Sequence, residues 1–268
     1  MRVAFNKMHG LGNDFLVLDA RVTPLPGLSD AMVARLANRH TGIGCDQLIL
    51  LENDETADFR MRIFNSDGSE VEACGNAARA VALHHGSAAT VATAGGIIQL
   101  EPAQDGARVD MGKPRFGWGD IPLAYAMDTD ALPIGWEELT DPAAVNVGNP
   151  HVVFFVEDLN AVELERLGPI IENDPLFPER INVNVAEVQG NVIRLRVWER
   201  GAGLTLACGT GACATAVAAI RRKRVASPVD VHLPGGTLRI EWTAGQSIMM
   251  TGPAAESFRG SFEWSDYE

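Results

Sequence analysis

Apolar and polar positions alternate, or run unbroken as short apolar stretches, at seven places that read as β-strands: 15–18, 48–51, 59–64, 97–101, 152–156, 192–198 and 237–242. Met32, Val33, Leu36 and Ala37 recur at helical spacing behind Ser29, which predicts a capped helix to about residue 40. Asp158 is expected to open a matching helix to about residue 167. Two further segments are rich in alanine. One follows Cys74 and stops at Gly86; the other follows Cys208 to Ile220 and ends in Arg221-Arg222-Lys223-Arg224. Both read as helices, apolar or small for two turns and therefore buried, and the second places cations where a helix dipole favours them. Each half thus reads as strands, helix, strands, cysteine, helix, strands. Segment 114–142 is rich in Gly, Pro and Trp and marks the expected boundary, giving domains 1–114 and 115–256. Residues 257–268 lie beyond the pattern and are expected to return to the first half as an extra strand.

The same plan occurs twice. Ala73-Cys74-Gly75 recurs as Ala207-Cys208-Gly209, 134 residues on, with alanines matching at 78/212, 80/214 and 82/216. Gly95-Gly96-Ile97-Ile98-Gln99-Leu100-Glu101 resembles Gly235-Gly236-Thr237-Leu238-Arg239-Ile240-Glu241, and Val109-Asp110-Met111-Gly112 falls on Met249-Met250-Thr251-Gly252 at the same spacing of 140. Upstream, Gly12-Asn13-Asp14-Phe15 lies against Gly148-Asn149-Pro150-His151, 136 apart. Short Ala and Gly matches arise by chance. Three in the same order, one of them carrying a cysteine pair, point to an internal duplication.

Composition narrows the function classes. The chain has 268 residues, a net charge of −13 and a 46% hydrophobic fraction, enough for a full core and a poor match to nucleic acid or an anionic membrane surface. No apolar run approaches the roughly 18 residues of a membrane span, and the opening MRVAFNKMHG lacks a signal-peptide core. Four cysteines (Cys45, Cys74, Cys208, Cys213) are too few for a disulfide scaffold and read as reduced cytoplasmic thiols. No Walker loop, Gly-x-Gly-x-x-Gly after a strand, Cys-x-x-Cys or metal-ligand spacing occurs, so neither a metal nor a cofactor is expected.

Cys74 and Cys208 each fall at a strand-to-helix junction. A helix N-terminus carries about half a positive charge and unpaired amides, which stabilise a thiolate and can hold a carboxylate. A lone cysteine beside glycine is often only a small packed residue; two in repeated contexts argue for chemistry. Duplicated halves packed about a pseudo-twofold axis would set the two junctions face to face. A ligand between them would lose a proton to one thiolate and gain one from the other thiol, the pattern of a two-base racemase or epimerase. A non-catalytic amino-acid binding protein of duplicated design would bind the ligand without exchanging its α-proton. A thiol redox protein would place its cysteines closer together.

Seven stretches stand out together: Met8-His9-Gly10-Leu11-Gly12-Asn13-Asp14-Phe15, Gly42-Ile43-Gly44-Cys45-Asp46-Gln47, Asn65-Ser66-Asp67-Gly68-Ser69, Ala73-Cys74-Gly75-Asn76, Gly148-Asn149-Pro150-His151, Arg180-Ile181-Asn182, and Glu199-Arg200-Gly201 through Ala207-Cys208-Gly209-Thr210-Gly211. On these stretches the sequence resembles the diaminopimelate epimerase family. It implies an α/β (α+β) fold of two pseudo-symmetric duplicated domains, each a curved mixed or antiparallel sheet wrapped around a buried central helix. It implies a cytoplasmic homodimer that interconverts LL- and meso-2,6-diaminoheptanedioate without a cofactor, a step in lysine and peptidoglycan precursor synthesis. By that resemblance Cys74 and Cys208 are the two acid/base residues, and His151 and Glu199 hold the reacting ammonium and tune the thiols. Asn13, Gln47, Asn65, Gly75, Asn76, Asn149, Asn182, Glu199, Arg200, Gly209 and Thr210 fall on substrate-binding positions. Asparagines supply donor and acceptor together for a zwitterion, and Arg200 can fork onto a carboxylate. A proline or hydroxyproline racemase of the same architecture is the nearest alternative. The chain departs from the family pattern at Ala77-Ala78-Arg79-Ala80, where Gly-Ala-Arg-Cys is usual, and at Cys45, where alanine is usual; Cys45 and Cys213 are expected to be packed small residues.

Overall fold

The computed structural model describes residues 1–71, 74–103 and 106–268, so Ala73 of the Ala-Cys-Gly repeat lies outside the described residues. The chain divides into two compact units: Met1–Val109 with Gly252–Glu268, and Asp110–Thr251.

In the first unit, strands Arg2–Gly10 and Asn13–Asp19 form a hairpin. Its two turn residues, Leu11 and Gly12, both have positive φ (59° and 90°), the geometry that matches the twist of a two-residue hairpin. Strand Ala255–Glu263 pairs antiparallel with Arg2–Gly10 on the other side. Asn13–Asp19 then pairs parallel with Gln47–Glu52, which pairs antiparallel with Phe59–Asn65. Parallel pairing requires a crossover, and helix α1 (Asp30–Ala37) supplies it. Phe59–Asn65 pairs parallel with Ala89–Thr93 after a second crossover through helix α2 (Gly75–His85); Gly96–Ala103 and Gly106–Asp110 complete the sheet.

The Ser29 hydroxyl accepts from the Met32 N–H and caps α1, whose Met32, Val33, Leu36 and Ala37 are buried. The helix stops at Ala37 rather than near residue 40. Asn38 turns extended, its side chain accepts from the N–H groups of His40 and Thr41, and the N–H groups of Ile43, Gly44 and Cys45 take the last helical carbonyls. That turn delivers Asp46 and Gln47 to the head of the next strand. Helix α2 is buried without a break from Gly75 to Ala82. It packs against strands from both ends of the sheet, Arg2–Gly10 and Ala255–Glu263 on one side and Gly96–Ala103 on the other, so the sheet curls around it. Alanines at these positions let the strands close on the helix axis.

The second unit repeats this order. Ala143–Asn146 and Pro150–Val156 are antiparallel neighbours, Pro150–Val156 pairs parallel with Asn182–Gln189, and Val192–Glu199 follows antiparallel. Val192–Glu199 pairs parallel with Val229–Leu233, and Gly236–Glu241 and Met249–Gly252 follow. Helix α3 (Leu164–Glu172) makes the first crossover and helix α4 (Gly209–Arg221) the second, α4 touching strands from Ala143–Asn146 through Gly236–Glu241. Here one expectation is corrected. Asp158 does not cap a helix running to residue 167. It caps a single 3-10 turn, Leu159–Ala161, after which Val162 returns to extended backbone and α3 begins at Leu164. Leu159, Val162 and Leu164 are all buried in one core cluster, and a continuous helix from Asp158 would not turn all three to the same side. Among the described residues no helix is long and apolar enough to cross a membrane.

Candidate active site

Each cysteine of the repeat caps its own helix. Cys74 has extended backbone and its Sγ accepts from the Ala77 N–H at 3.5 Å. Cys208 does the same for Gly211 at 3.3 Å. The cap role normally filled by Ser, Asp or Asn oxygen is taken by sulfur, which holds each Sγ against the positive end of a helix.

In the first unit, Cys74 is half-buried, and its thiol donates to Asn13 Oδ1 at 3.8 Å. The same oxygen accepts from Asn76 Nδ2 at 3.2 Å. The amide nitrogen of Asn13 is directed the other way, to Asp46 Oδ2 at 3.1 Å. Asn76 is in turn set by Arg79, whose Nη2 donates to Asn76 Oδ1 at 2.9 Å. Arg79 is wholly buried, one turn along α2, and also donates to the Gly75 and Pro253 carbonyls. Gln47 and Asn65 sit directly opposite on paired strands, with Gln47 Nε2 donating to Asn65 Oδ1 at 3.1 Å and Asn65 Nδ2 donating to Ser69. The unit therefore gathers Asn13, Cys74, Gly75 and Asn76 into one group and Gln47 and Asn65 into a pair beside it on the sheet.

In the second unit, Cys208 is buried, with Sγ 3.4 Å from the Thr210 hydroxyl. The Glu199 carboxylate, which accepts from Thr205 Oγ1 at 2.5 Å, lies near enough for its charge to act on the Cys208 thiol. Burial pushes the Cys208 thiol well above its ordinary range, and the Glu199 charge pushes it further. This corrects the expectation of a helix-stabilised thiolate at Cys208: desolvation outweighs the helix end and favours the thiol. Burial likewise raises Glu199 above the usual carboxylate range. Arg200 is exposed and its Nη1 donates to the Glu179 carbonyl at 2.9 Å. Asn182 is buried, and both ends of its amide are engaged by backbone: Oδ1 accepts from the Arg200 N–H and Nδ2 donates to the Pro150 carbonyl. His151 has no exposed surface; its Nε2 is 2.9 Å from Asn149 Oδ1 and its Nδ1 is 3.1 Å from Asn184 Nδ2. Cys45 and Cys213 are buried, Cys45 in the core beside α1 and Cys213 within α4.

Sequence reasoning missed four supporting side chains. Asp46 and Asn184 each lie within two residues of an expected site residue, and Asn184 shares a strand face with Asn182 by the two-residue period. Arg79 is the one charged residue in the buried run of α2. Glu172 gave no signal; from the end of α3 it accepts from Trp198 Nε1 at 2.7 Å and the Gly201 N–H at 2.9 Å, fixing the turn that carries Glu199 and Arg200. Among the described residues no three His, Cys, Asp or Glu side chains gather as a metal site.

Comparison with solved structures sets the architecture in a known class. A phenazine biosynthesis protein of the PhzF family from Bacillus anthracis superposes with a TM-score of 0.69 over 98% of this chain and 99% of its own, at 16% identity. The fold is thus the duplicated, helix-centred one of that class. The family model for diaminopimelate epimerase matches residues 5–117 and 143–256. A diaminopimelate epimerase from Erythrobacter litoralis is 68% identical over the whole of both chains, and one from Rhizorhabdus wittichii is 60% identical over all of this chain and 98% of its own. The chain belongs to the diaminopimelate epimerase family and is an isomerase.

Proposed function

We propose that this chain interconverts LL- and meso-2,6-diaminoheptanedioate by a two-base route without a cofactor, with Cys74 and Cys208 as the acid/base pair. The observation that carries this reading is the repeated cap: each unit seats one cysteine sulfur at the N-terminus of its buried central helix. One cysteine, as the thiolate, removes the α-proton from one face of the carbon, and the other, as the thiol, returns a proton to the opposite face, which inverts the centre. Reversal exchanges the roles. Cys208 becomes a base by giving up its proton to the Glu199 carboxylate. Burial has already raised that carboxyl's affinity for a proton. The α-carboxylate gains negative charge as the proton leaves, and the amides at Gly75-Asn76 and Gly209-Thr210 are the donors suited to it. Arg200 and the asparagine side chains recognise the distal amino-acid end, whose several simultaneous bonds select this substrate over a shorter one. In this reading the enzyme works as a cytoplasmic homodimer.

Proton NMR of the LL substrate with reduced protein in deuterium oxide tests the reading. The α-proton signal is expected to vanish as the meso form appears, and neither change is expected with Cys208→Ala. Folded, reduced protein that exchanges no α-proton would overturn it and send the search to proline-type substrates.

A further inference from the structure

His151 is the largest unexplained group in the second unit: a fully buried ring whose two nitrogens face two side-chain amides. Asn184 determines how that ring is protonated. Its Nδ2 donates to the Val152 carbonyl at 2.9 Å, so the nitrogen end of the amide, not the oxygen, faces His151 Nδ1. An amide nitrogen can only donate. Nδ1 must therefore be bare, and the ring proton must sit on Nε2, 2.9 Å from Asn149 Oδ1. The donation fixes Asn149 in turn. Its oxygen is drawn inward to the ring, and the planar amide then turns Nδ2 the opposite way, outward from a half-buried position.

We infer that His151 is a positioning residue, locked as the neutral Nε2–H tautomer by Asn184, and that it acts by turning the Asn149 amide nitrogen outward as a donor for a substrate carboxylate. The inference rests on the proposed epimerase reading for its substrate and replaces the expected role of His151 in holding the reacting ammonium and tuning the thiols. A ring enclosed by Asn149 and Asn184 has no open nitrogen to exchange a proton. Adding a proton at Nδ1 would set two donors against each other. Register supports the arrangement: His151 lies opposite Asn182 on parallel strands, and Asn184 follows on the same face, so sheet pairing alone aligns the relay.

Two measurements test it. Long-range proton–nitrogen NMR of labelled protein, with the His151 signals assigned by H151Q, is expected to show bare Nδ1 and protonated Nε2 unchanged from pH 5 to 9. The other tautomer, or a titration within that range, would overturn the inference whatever the substrate proves to be. Kinetics supply the second. H151F removes the donation and is expected to raise KM for the diamino-diacid about tenfold or more while kcat falls less. H151Q places an amide donor near the position of Nε2 and is expected to bring KM back to within about threefold of the native value. Equal damage in both variants, or a collapse of kcat with loss of one limb of its pH profile, would show His151 acting on the proton and sink the idea. Wild-type protein inactive on this substrate would overturn the proposed function and leave the tautomer result standing.

Discussion

Asp46, with Asn76 on the other end of the amide, sets which end of Asn13 meets Cys74. Its Oδ2 accepts from Asn13 Nδ2, so the Asn13 oxygen is the end turned to the thiol. Asp46 is itself held by Arg39 at 2.6 Å and by the Asp14 N–H at 3.0 Å. An acceptor at the sulfur favours S–H over thiolate, which suits Cys74 as a proton donor. Asp46→Asn offers Asn13 a donor as readily as an acceptor, so only Asn76 still opposes turnover of the Asn13 amide. A hydrogen bond to a charged group contributes about 1.5–3 kcal/mol. The expected outcome is a ten- to hundredfold fall in kcat/KM together with faster alkylation of Cys74 by iodoacetamide at pH 7, as the amide nitrogen now faces the sulfur. Unchanged alkylation would show that Asp46 does not set the Asn13 orientation.

The Glu199 charge makes the buried Cys208 thiol harder to ionise, whereas Cys208 eases the charge on Glu199, which burial opposes. Glu199→Gln removes the negative charge that holds the Cys208 thiol up. The alkylation-versus-pH curve of Cys208, followed by peptide mass spectrometry, is therefore expected to move to lower pH. Epimerisation is expected to fall by about 100-fold or more, within the range lost with one acid/base partner, because the proton on Cys208 has lost its acceptor. A curve that moved to higher pH would mean that Glu199 stabilises the thiolate, the opposite of what the geometry states.

Position three of the two central helices differs for a reason the second unit shows. A Cβ on Gly211 would lie 2.7 Å from Asn184 Oδ1 and 3.1 Å from Val197 Cγ2. Asn184 cannot easily yield, because its other amide end is bonded to Val152 and His151. Gly211→Ala is therefore expected to destabilise the protein by about 1–2 kcal/mol: overpacking of about 1–3 kcal/mol exceeds the gain of about 1 kcal/mol in helix propensity. The matching residue in the first unit, Ala77, is already buried within its helix. Ala77→Gly is expected to cost about 1 kcal/mol from backbone entropy alone. Urea unfolding midpoints measure both, and a stabilised Gly211→Ala protein would contradict the steric account.

Legibility followed periodicity and repetition. All seven strands read from apolar patterning are present, because half-buried or buried strands must repeat at a fixed period. Both central helices start at their cysteines, and α2 stops at Gly86, whose positive φ ends it. Local signals failed where tertiary contacts decided the backbone. Asp158 is a sound cap by type, yet it serves a 3-10 turn because Leu159, Val162 and Leu164 all had to reach one core. The electrostatics of Cys208 were equally out of reach. A helix N-terminus is visible in sequence; the burial that overrides it and the carboxylate beside it are not.

The buried ring of His151 also sets a stability signature. Burial lowers its pKa from 6.5 to about 3, with the nearby Arg200 charge acting in the same direction. Between those values the unfolded chain binds a proton that the folded chain refuses. Stability is thus fully present above about pH 6.5 and is lost as pH falls toward 3. From pH 6.5 to 4.5 that loss amounts to about 2 kcal/mol for one such group. Carboxylates held low in the fold, Asp14 and Asp19 among them, begin to contribute only nearer their own ordinary range around pH 4, so the upper window isolates histidine. The comparison that reads it is urea unfolding of wild type and His151→Gln at pH 6.5 and 4.5. The variant has no ring to protonate, so its stability is expected to fall by about 2 kcal/mol less across the interval. The other five histidines are common to both proteins and cancel. Equal losses in the two proteins would mean that the folded chain accepts the proton on His151, and a ring that accepts a proton is not locked between Asn149 and Asn184.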